Sequence, residues 1–432
     1  MSPTIARAGV DLYIPRVLSA ASRRVLLVLI LTAGACGSEE PAPPDDPAAR
    51  PTVEAIPSPA APGSGEPNLA RGAGDRVYLT WIEPAGDGHA LRFSTDSAAG
   101  WSSPRTIARG DDWFVNWADF PALIELSDGT LAAHWLEKSG AGTYAYGVRV
   151  TRSSDAGATW SDPVTPHRDG TETEHGFVSF FPSENGVPAL VWLDGRKYAG
   201  AEPGGPGAEM TLRTTRLVGD SLAGEAMLDA RVCDCCQTDA AITSKGPLIV
   251  YRDRSPGEIR DIAAVRRVAG RWSEPAPVHV DGWRIEACPV NGPAVAADGD
   301  RVAVAWFTAA ADTMRVRLAR STDAGATFGE PVRVDAGTPE GRVDVALLEG
   351  GDALVTWLER SEEGDGRVLA RRVDPAGELG DPLLVARTSY ARASGFPRMT
   401  VADERAVFAW TDPTEPARVR TGAIELEAIP AP

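Results

Sequence analysis

Asp344-Val-Ala-Leu-Leu348, Ala353-Leu-Val-Thr-Trp357, Arg367-Val-Leu-Ala-Arg-Arg-Val373 and Pro382-Leu-Leu-Val385 are four short runs in close succession, the first two separated by the turn Gly350-Gly-Asp352. Runs of this length, separated by turn residues, predict four antiparallel strands. The second is apolar on both faces, which suits a sheet sandwiched between neighbours better than one with a face in water. Runs like it, each ending in an aromatic residue, recur seven times: at Trp81, Trp135, Trp192, Tyr251, Trp306, Trp357 and Trp410, with spacings of 54, 57, 59, 55, 51 and 53 residues. A four-stranded unit with so regular a period predicts an all-β fold, a β-propeller of seven four-stranded blades. Six blades with one degenerate unit is the alternative. The seventh unit supplies only three strands, so residues 52–56 are expected to add the fourth and close the ring, removing sheet edges that would otherwise pair with other chains.

The remainder of the 432-residue chain sets address and class. With 43% hydrophobic and 24% charged residues, neither a disordered chain nor a multi-span membrane protein fits its bulk. The 43 Lys and Arg against 60 Asp and Glu give a net charge of -17, which repels a phosphate backbone and argues against nucleic acid as a partner. Arg23 and Arg24 precede Val25-Leu-Leu-Val-Leu-Ile-Leu31, too short an apolar run for a spanning helix, and the pattern reads as an export signal. Ala33-Gly-Ala-Cys36 resembles the bacterial lipobox, with Ala33 where Leu is usual; the resemblance implies lipidation of Cys36. An ordinary cleaved secretory peptide is the alternative. Gly37 after the cysteine implies, by the same resemblance, the outer membrane. The expectation is therefore an exported protein, an outer-membrane lipoprotein or a periplasmic one, touching the membrane through a lipid anchor only. Residues 1–36 form the leader and lipidated cysteine, the proline-rich residues 37–65 a flexible tether, and residues 66–432 the propeller.

Two hairpins carry a second signature: Ser153-Ser-Asp155-Ala-Gly157-Ala-Thr159-Trp160 and Ser321-Thr-Asp323-Ala-Gly325-Ala-Thr327-Phe328. Both match the S-x-D-x-G-x-T-W pattern of the Asp-box, a turn in which Ser and Asp side chains satisfy loop amides and Gly takes a positive φ. Repeated at this spacing, the motif resembles the bacterial neuraminidase repeat of sialidase-like propellers over residues 66–428. That resemblance implies a sialidase fold and, in a true sialidase, an Arg-Ile-Pro motif, an arginine triad, a Tyr nucleophile backed by Glu, and an Asp acid/base. Here Arg-Ile-Pro is missing, and the first unit opens Glu66-Pro-Asn-Leu-Ala-Arg71. Fold and activity are thus separate questions.

In a propeller, the loops leading into the first strands and those following the second strands share one face around the central channel. On that face the sequence places Arg196, Arg252, Arg342, Arg398, Asp119, His175 and Asp344 as candidate substrate-binding residues. Four guanidiniums fork well onto a carboxylate or sulfate, so an acidic sugar or another anionic small ligand is the expected partner. The alternative is structural pairing of Arg196 with Asp194, Arg252 with Asp253 and Arg342 with Asp344. His175 is either a general base or a scaffold residue, and Tyr251, Tyr390, Glu172 and Glu174 are the candidates for a nucleophile pair. Cys233, Cys235, Cys236 and Cys288 lie on two adjacent loops, and in an exported protein they read first as disulfides. A copper or zinc thiolate site is the sharper alternative to an expectation of no cofactor, and free reactive thiols are the third reading. The functional expectation is acidic-glycan binding with hydrolysis open, against a non-catalytic interaction platform or a metal or redox site on the cysteine loop.

Overall fold

The computed structural model describes residues 51–97, 100–183, 186–201, 207–219 and 221–432. The leader, Cys36 and the first part of the proline-rich stretch lie outside them. The described chain is all-β, with only single-turn 3-10 segments besides strands.

Seven antiparallel sheets stand in a ring. From the channel outward, blade 1 is Gly65–Arg71, Val77–Ala85, Gly88–Ser97 and Arg105–Gly110. Blade 2 is Ala122–Glu125, Leu131–Lys138 and Tyr146–Ser153, with a single bridge from Val150 to Val164 in the fourth place. Blade 3 is His175–Pro182, Pro188–Asp194, Met210–Val218 and Ser221–Val232, and blade 4 is Asp239–Thr243, Gly246–Arg252, Ile262–Val268 and Ala276–Pro277. Blade 5 is Ala294–Asp298, Arg301–Thr308, Arg315–Ser321 and Val332–Arg333, and blade 6 is Thr338–Leu347, Ala353–Arg360, Gly366–Val373 and Leu383–Thr388. Blade 7 is Arg398–Ala402, Arg405–Asp412 and Arg418–Glu425, and its outer strand is Glu54–Ile56, paired Glu54 to Ala423 and Ile56 to Thr421. Each innermost strand packs against those of both neighbouring blades, the seventh against the first, so seven blades close the ring and the six-blade alternative is excluded. The stretch read as a tether divides accordingly. From residue 51 it belongs to the propeller: Glu54–Ile56 is the outer strand of blade 7, Gly65 begins blade 1, and between them Ala60 and Ser64 are buried, with Ser64 Oγ accepting the Val419 N–H at 3.0 Å.

All seven aromatic runs fall on second strands. The burial behind them lies between blades: one cluster joins Val77, Leu79 and Trp81 of blade 1 to Val407, Ala409 and Val419 of blade 7, and another joins Ala303, Ala305 and Leu318 of blade 5 to Val355 and Trp357 of blade 6. Stacking removes these faces from water, at about 25 cal/mol per Å² of apolar area. A buried indole N–H needs an acceptor, and three blades supply it two residues on. Trp81, Trp192 and Trp357 donate to Glu83, Asp194 and Glu359 at 2.8, 2.9 and 3.1 Å. In blade 5 the equivalent position is Thr308, and Asp281 accepts from Trp306 instead, at 2.6 Å.

The two Ser-x-Asp turns are built alike. Ser153 and Ser321 accept the N–H of Gly157 and Gly325 at 2.7 and 2.9 Å, and Asp155 and Asp323 accept the N–H of Thr159 and Thr327, both at 2.9 Å. Gly157 and Gly325 hold φ of 80° and 76°, a region in which a side chain would be strained.

Candidate functional site

A cavity of about 250 Å³ occupies the channel on the side of the first-strand loops and is lined from all seven blades, its polar groups including Asn68, Asp119, Gln237, Asp239 and Arg398. Several of these stitch the ring. Asp119, Asp239 and Asp344 each accept a backbone N–H from the next blade, of Phe177 (2.9 Å), Val295 (2.8 Å) and Met399 (2.9 Å), and Asn291 accepts that of Arg342 (2.7 Å). Asp344 therefore serves the fold, and Arg398 lies 3.3 Å from it, donating to Asn68 Oδ1 at 3.1 Å and standing over the Phe120 ring. Trp117, Phe120 and Phe396 close over the channel, Trp117 stacked on Phe396 at 5.9 Å between centroids. The mouth is thus rimmed by aromatic rings with guanidiniums stacked on them: Arg342 stands 4.8 Å over Trp117, Arg392 5.9 Å over the same ring and Arg398 5.1 Å over Phe120.

Two of the four candidate arginines turn inward. Arg252 is 1% exposed and donates to the carbonyls of Asn291, Arg260 and Phe307 at 2.8, 2.5 and 2.7 Å, with its guanidinium over Trp283. Arg342 donates to the carbonyls of Tyr390, Ala391 and Gly395 and to Ser394 Oγ, and burial lowers its pKa to about 10. Neither takes the aspartate partner expected from sequence; both spend donors on backbone carbonyls at blade junctions. Arg196 does pair with Asp194, through two bonds of 2.7 Å, and also meets Glu225 at 2.9 Å. The four arginines are therefore not a common anion grip.

His175 is fully buried beside Arg196. Its Nδ1 faces the Thr173 carbonyl at 2.9 Å and its Nε2 faces Asp169 at 3.1 Å, with the His167 ring stacked at 3.8 Å. Burial works against its protonation, but Asp169 and Asp194 more than offset this, so its pKa lies above the usual histidine value. His167, Asp169 and His175 are close enough together to ligate one ion. Their donor atoms are already spent: His167 Nε2 accepts the Val148 N–H at 3.2 Å, and the Arg196 guanidinium stands 3.3 Å from Asp169. This group reads as a structural ion network.

The structure assembles a different trio. Tyr146, at the start of the third strand of blade 2, places its hydroxyl 2.8 Å from Glu174 Oε1 and 3.2 Å from Asp119 Oδ2. Burial raises Asp119 to about 7, against the opposing hydrogen bonds from Phe177 and Tyr146. Burial raises Glu174 to about 8, helped by the charges of Asp119 and Asp234. The hydroxyl of Tyr198 bonds Asp234, which Arg254 also holds at 3.2 Å. Of the nucleophile-pair candidates Glu174 is brought into such a pair, but its partner is Tyr146, not Tyr251, whose hydroxyl is spent on Asp229 at 2.6 Å, nor Tyr390, which lies under Arg360. Nothing local marks Tyr146: its two partners are 28 and 27 residues away.

Cys235 and Cys288 are disulfide-bonded, whereas Cys233 and Cys236 are buried thiols. The expectation of two bridges is met by one.

No protein-family model matches the chain, and no curated protein matches it. Solved structures similar to it include sialidases, an arabinanase, an arabinofuranosidase and a polysaccharide lyase. A polysaccharide lyase, Uly1, matches with TM-score 0.50 and 11% identity over 84% of this chain and 90% of that one. The α-L-arabinanase of Penicillium chrysogenum matches with TM-score 0.49 and 13% identity over 88% and 100%. The NanB sialidase of Streptococcus pneumoniae matches with TM-score 0.46 and 9% identity over 82% and 84%. At such identities the likeness to the lyase speaks for the shared fold alone.

Proposed function

We propose that this chain is an exported propeller, anchored through a lipid on Cys36 at the outer membrane, that binds carbohydrate at its channel mouth and uses Glu174 with Asp119 as a hydrolase-type acid pair. The observation that carries the reading is the single hydroxyl of Tyr146 set between two carboxyls whose pKa values are raised to about 7 and about 8. Two buried carboxyls so close do not both ionise readily, so near neutrality the pair retains a proton. Glu174 is the less buried partner and is the group to offer that proton to a leaving oxygen. Asp119 is pinned by the Phe177 amide, and Tyr146, 1% exposed, positions both; its hydroxyl is too enclosed to attack a sugar carbon. The tyrosine route implied by the sialidase resemblance is therefore not adopted, although the two Asp-box turns keep that resemblance for the scaffold. The half-buried rings of Trp117 and Phe120, unlike Phe396 at 3% exposed, leave apolar surface for sugar C–H groups. With Arg252 and Arg342 turned inward, the ligand class widens from acidic glycans to carbohydrate generally.

The same inward arginines favour, as a second reading, a platform that binds without turnover. The test is a glycan array together with aryl-glycoside hydrolysis by the purified protein. Turnover that falls by roughly 10²-fold or more in Glu174→Gln, with binding retained, supports the acid pair. Binding without turnover selects the platform, and binding to no glycan overturns both.

A further inference from the structure

The four cysteines at the mouth lie in two tiers. The outer pair, Cys235 and Cys288, ties the loop before blade 4 to the loop before blade 5 with 6.1 Å between Cα atoms, and Cys288 is exposed. Beneath it, Cys233 and Cys236 are buried with their sulfurs 2.9 Å apart. The sulfurs of Cys233, Cys235 and Cys236 all lie within 4.8 Å of one another, so the inner thiols stand within reach of the outer disulfide. Arg260 Nη1 donates to Cys233 Sγ at 3.2 Å and is itself held by Glu258 at 2.9 Å. Burial pushes the Cys233 thiol up, but the hydrogen bond from Cys236 and the charge of Arg260 more than offset it, leaving it at about 7; burial drives Cys236 upward. One inner sulfur is therefore set up as the thiolate nucleophile and the other as its proton-bearing neighbour.

We propose that these four cysteines form a thiol–disulfide exchange site in which one disulfide moves between the outer and the inner pair. The Cys233 thiolate attacks Cys235 Sγ; the Cys233–Cys235 bond forms, the Cys235–Cys288 bond breaks, and Cys288 leaves as a thiolate that takes a proton. Cys236, having lost its proton, then attacks Cys233 Sγ; the Cys233–Cys236 bond forms, and Cys235 leaves as a thiolate and is protonated. Two thiols and one disulfide stand on each side, so no external oxidant or reductant is consumed. The exchange unlinks the loops before blades 4 and 5 and exposes a thiol at Cys288. It also reaches the mouth, because Asp234, between the two tiers, is bonded by Tyr198 and Arg254.

The experiment uses the full exported protein, poised by graded dithiothreitol at one disulfide per chain, acid-quenched, alkylated and digested with trypsin. Cys233, Cys235 and Cys236 fall on one tryptic peptide, bounded by Arg231 and Lys245, and Cys288 falls on another that begins after Arg284. Non-reducing mass spectrometry therefore distinguishes a cross-linked peptide pair from an internally bridged peptide with Cys235 alkylated. Both forms are expected in the wild type; in Cys236→Ser the exchange stops after its first step, so the internal form with Cys235 alkylated is lost, and in Cys288→Ser the internal form is expected. In Arg260→Met, interconversion is expected to slow about tenfold, the worth of one charge-assisted hydrogen bond. The wild-type map decides even if a variant fails to fold. The cross-linked pair alone at every time point, with Cys233 and Cys236 both alkylated, would overturn the proposal. So would reduced protein retaining one equivalent of zinc or copper on all four thiolates.

Discussion

Replacing Arg252 with methionine separates a scaffold arginine from a ligand-gripping one. The side chain is 1% exposed and holds three backbone carbonyls at 2.8, 2.5 and 2.7 Å, from the loop before blade 5, the loop after the second strand of blade 4 and the second strand of blade 5. Methionine fills much of the volume and relieves the cost of burying a cation, but it leaves those carbonyls without their donor. Each buried carbonyl stripped of its partner costs roughly 1–3 kcal/mol, so the three together cost about 3–9 kcal/mol, and with part of this offset by the relieved cation burial the net loss comes to about 4 kcal/mol. Unfolding entropy near 2.1 cal/mol/K per residue over the propeller converts this to a fall in Tm of about 5 °C. Differential scanning calorimetry of the two proteins, run beside carbohydrate binding at a temperature where both are folded, makes the comparison. The expected result is a lower Tm with unchanged affinity. Unchanged Tm with lost binding would mean that the guanidinium faces ligand, and the assignment of Arg252 to the scaffold would be wrong.

Asp119 carries a pH signature. Its folded pKa is raised to about 7 from an unfolded value near 3.9, so the stability it contributes is complete below about pH 4 and is lost as pH rises through 7. In Asp119→Asn that loss disappears: the Tm difference, variant minus wild type, is expected to climb between pH 4.5 and 8, and a flat difference would refute the raised pKa. Deleting residues 51–57 removes the outer strand of blade 7 and the Thr421 Oγ1 bond to the Ile56 carbonyl at 3.0 Å. A lower Tm and faster hydrogen exchange confined at first to Arg418–Glu425 are expected, and uniform protection across the ring would count against a seam there.

The architecture was legible because it is periodic. Each blade must bury a second strand on both faces, and that demand recurs in the chain as an aromatic residue every 51 to 59 positions. Even the strand that completes blade 7 could be inferred, from a unit short by one. The candidate site was legible only by face. That Arg252, Arg342 and Asp119 stand at the mouth follows from topology, but what they hold depends on atoms far along the chain: the carbonyls that Arg252 binds are 8, 39 and 55 residues away. Backbone carbonyls and amides have no residue-type signature, so an arginine that caps them looks, in sequence, like one awaiting an anion. Local pairing was readable where the partner is two residues off, as with Arg196 and Asp194, and misleading at Arg342 and Asp344, where the backbone sends the two side chains to different neighbours.

The first described strand of the chain and one of the last lie side by side in one sheet. During synthesis, Glu54–Ile56 emerges with nothing to join, and its partner Arg418–Glu425 leaves the ribosome only after six other blades have been made. Until then the nascent chain is an open arc with a bare edge at each end, the state in which a chaperone or a stray strand finds it most vulnerable. Latching is thus the final act of assembly, and a ribosome that stops a few codons short of Glu425 leaves a chain with every other blade and no clasp.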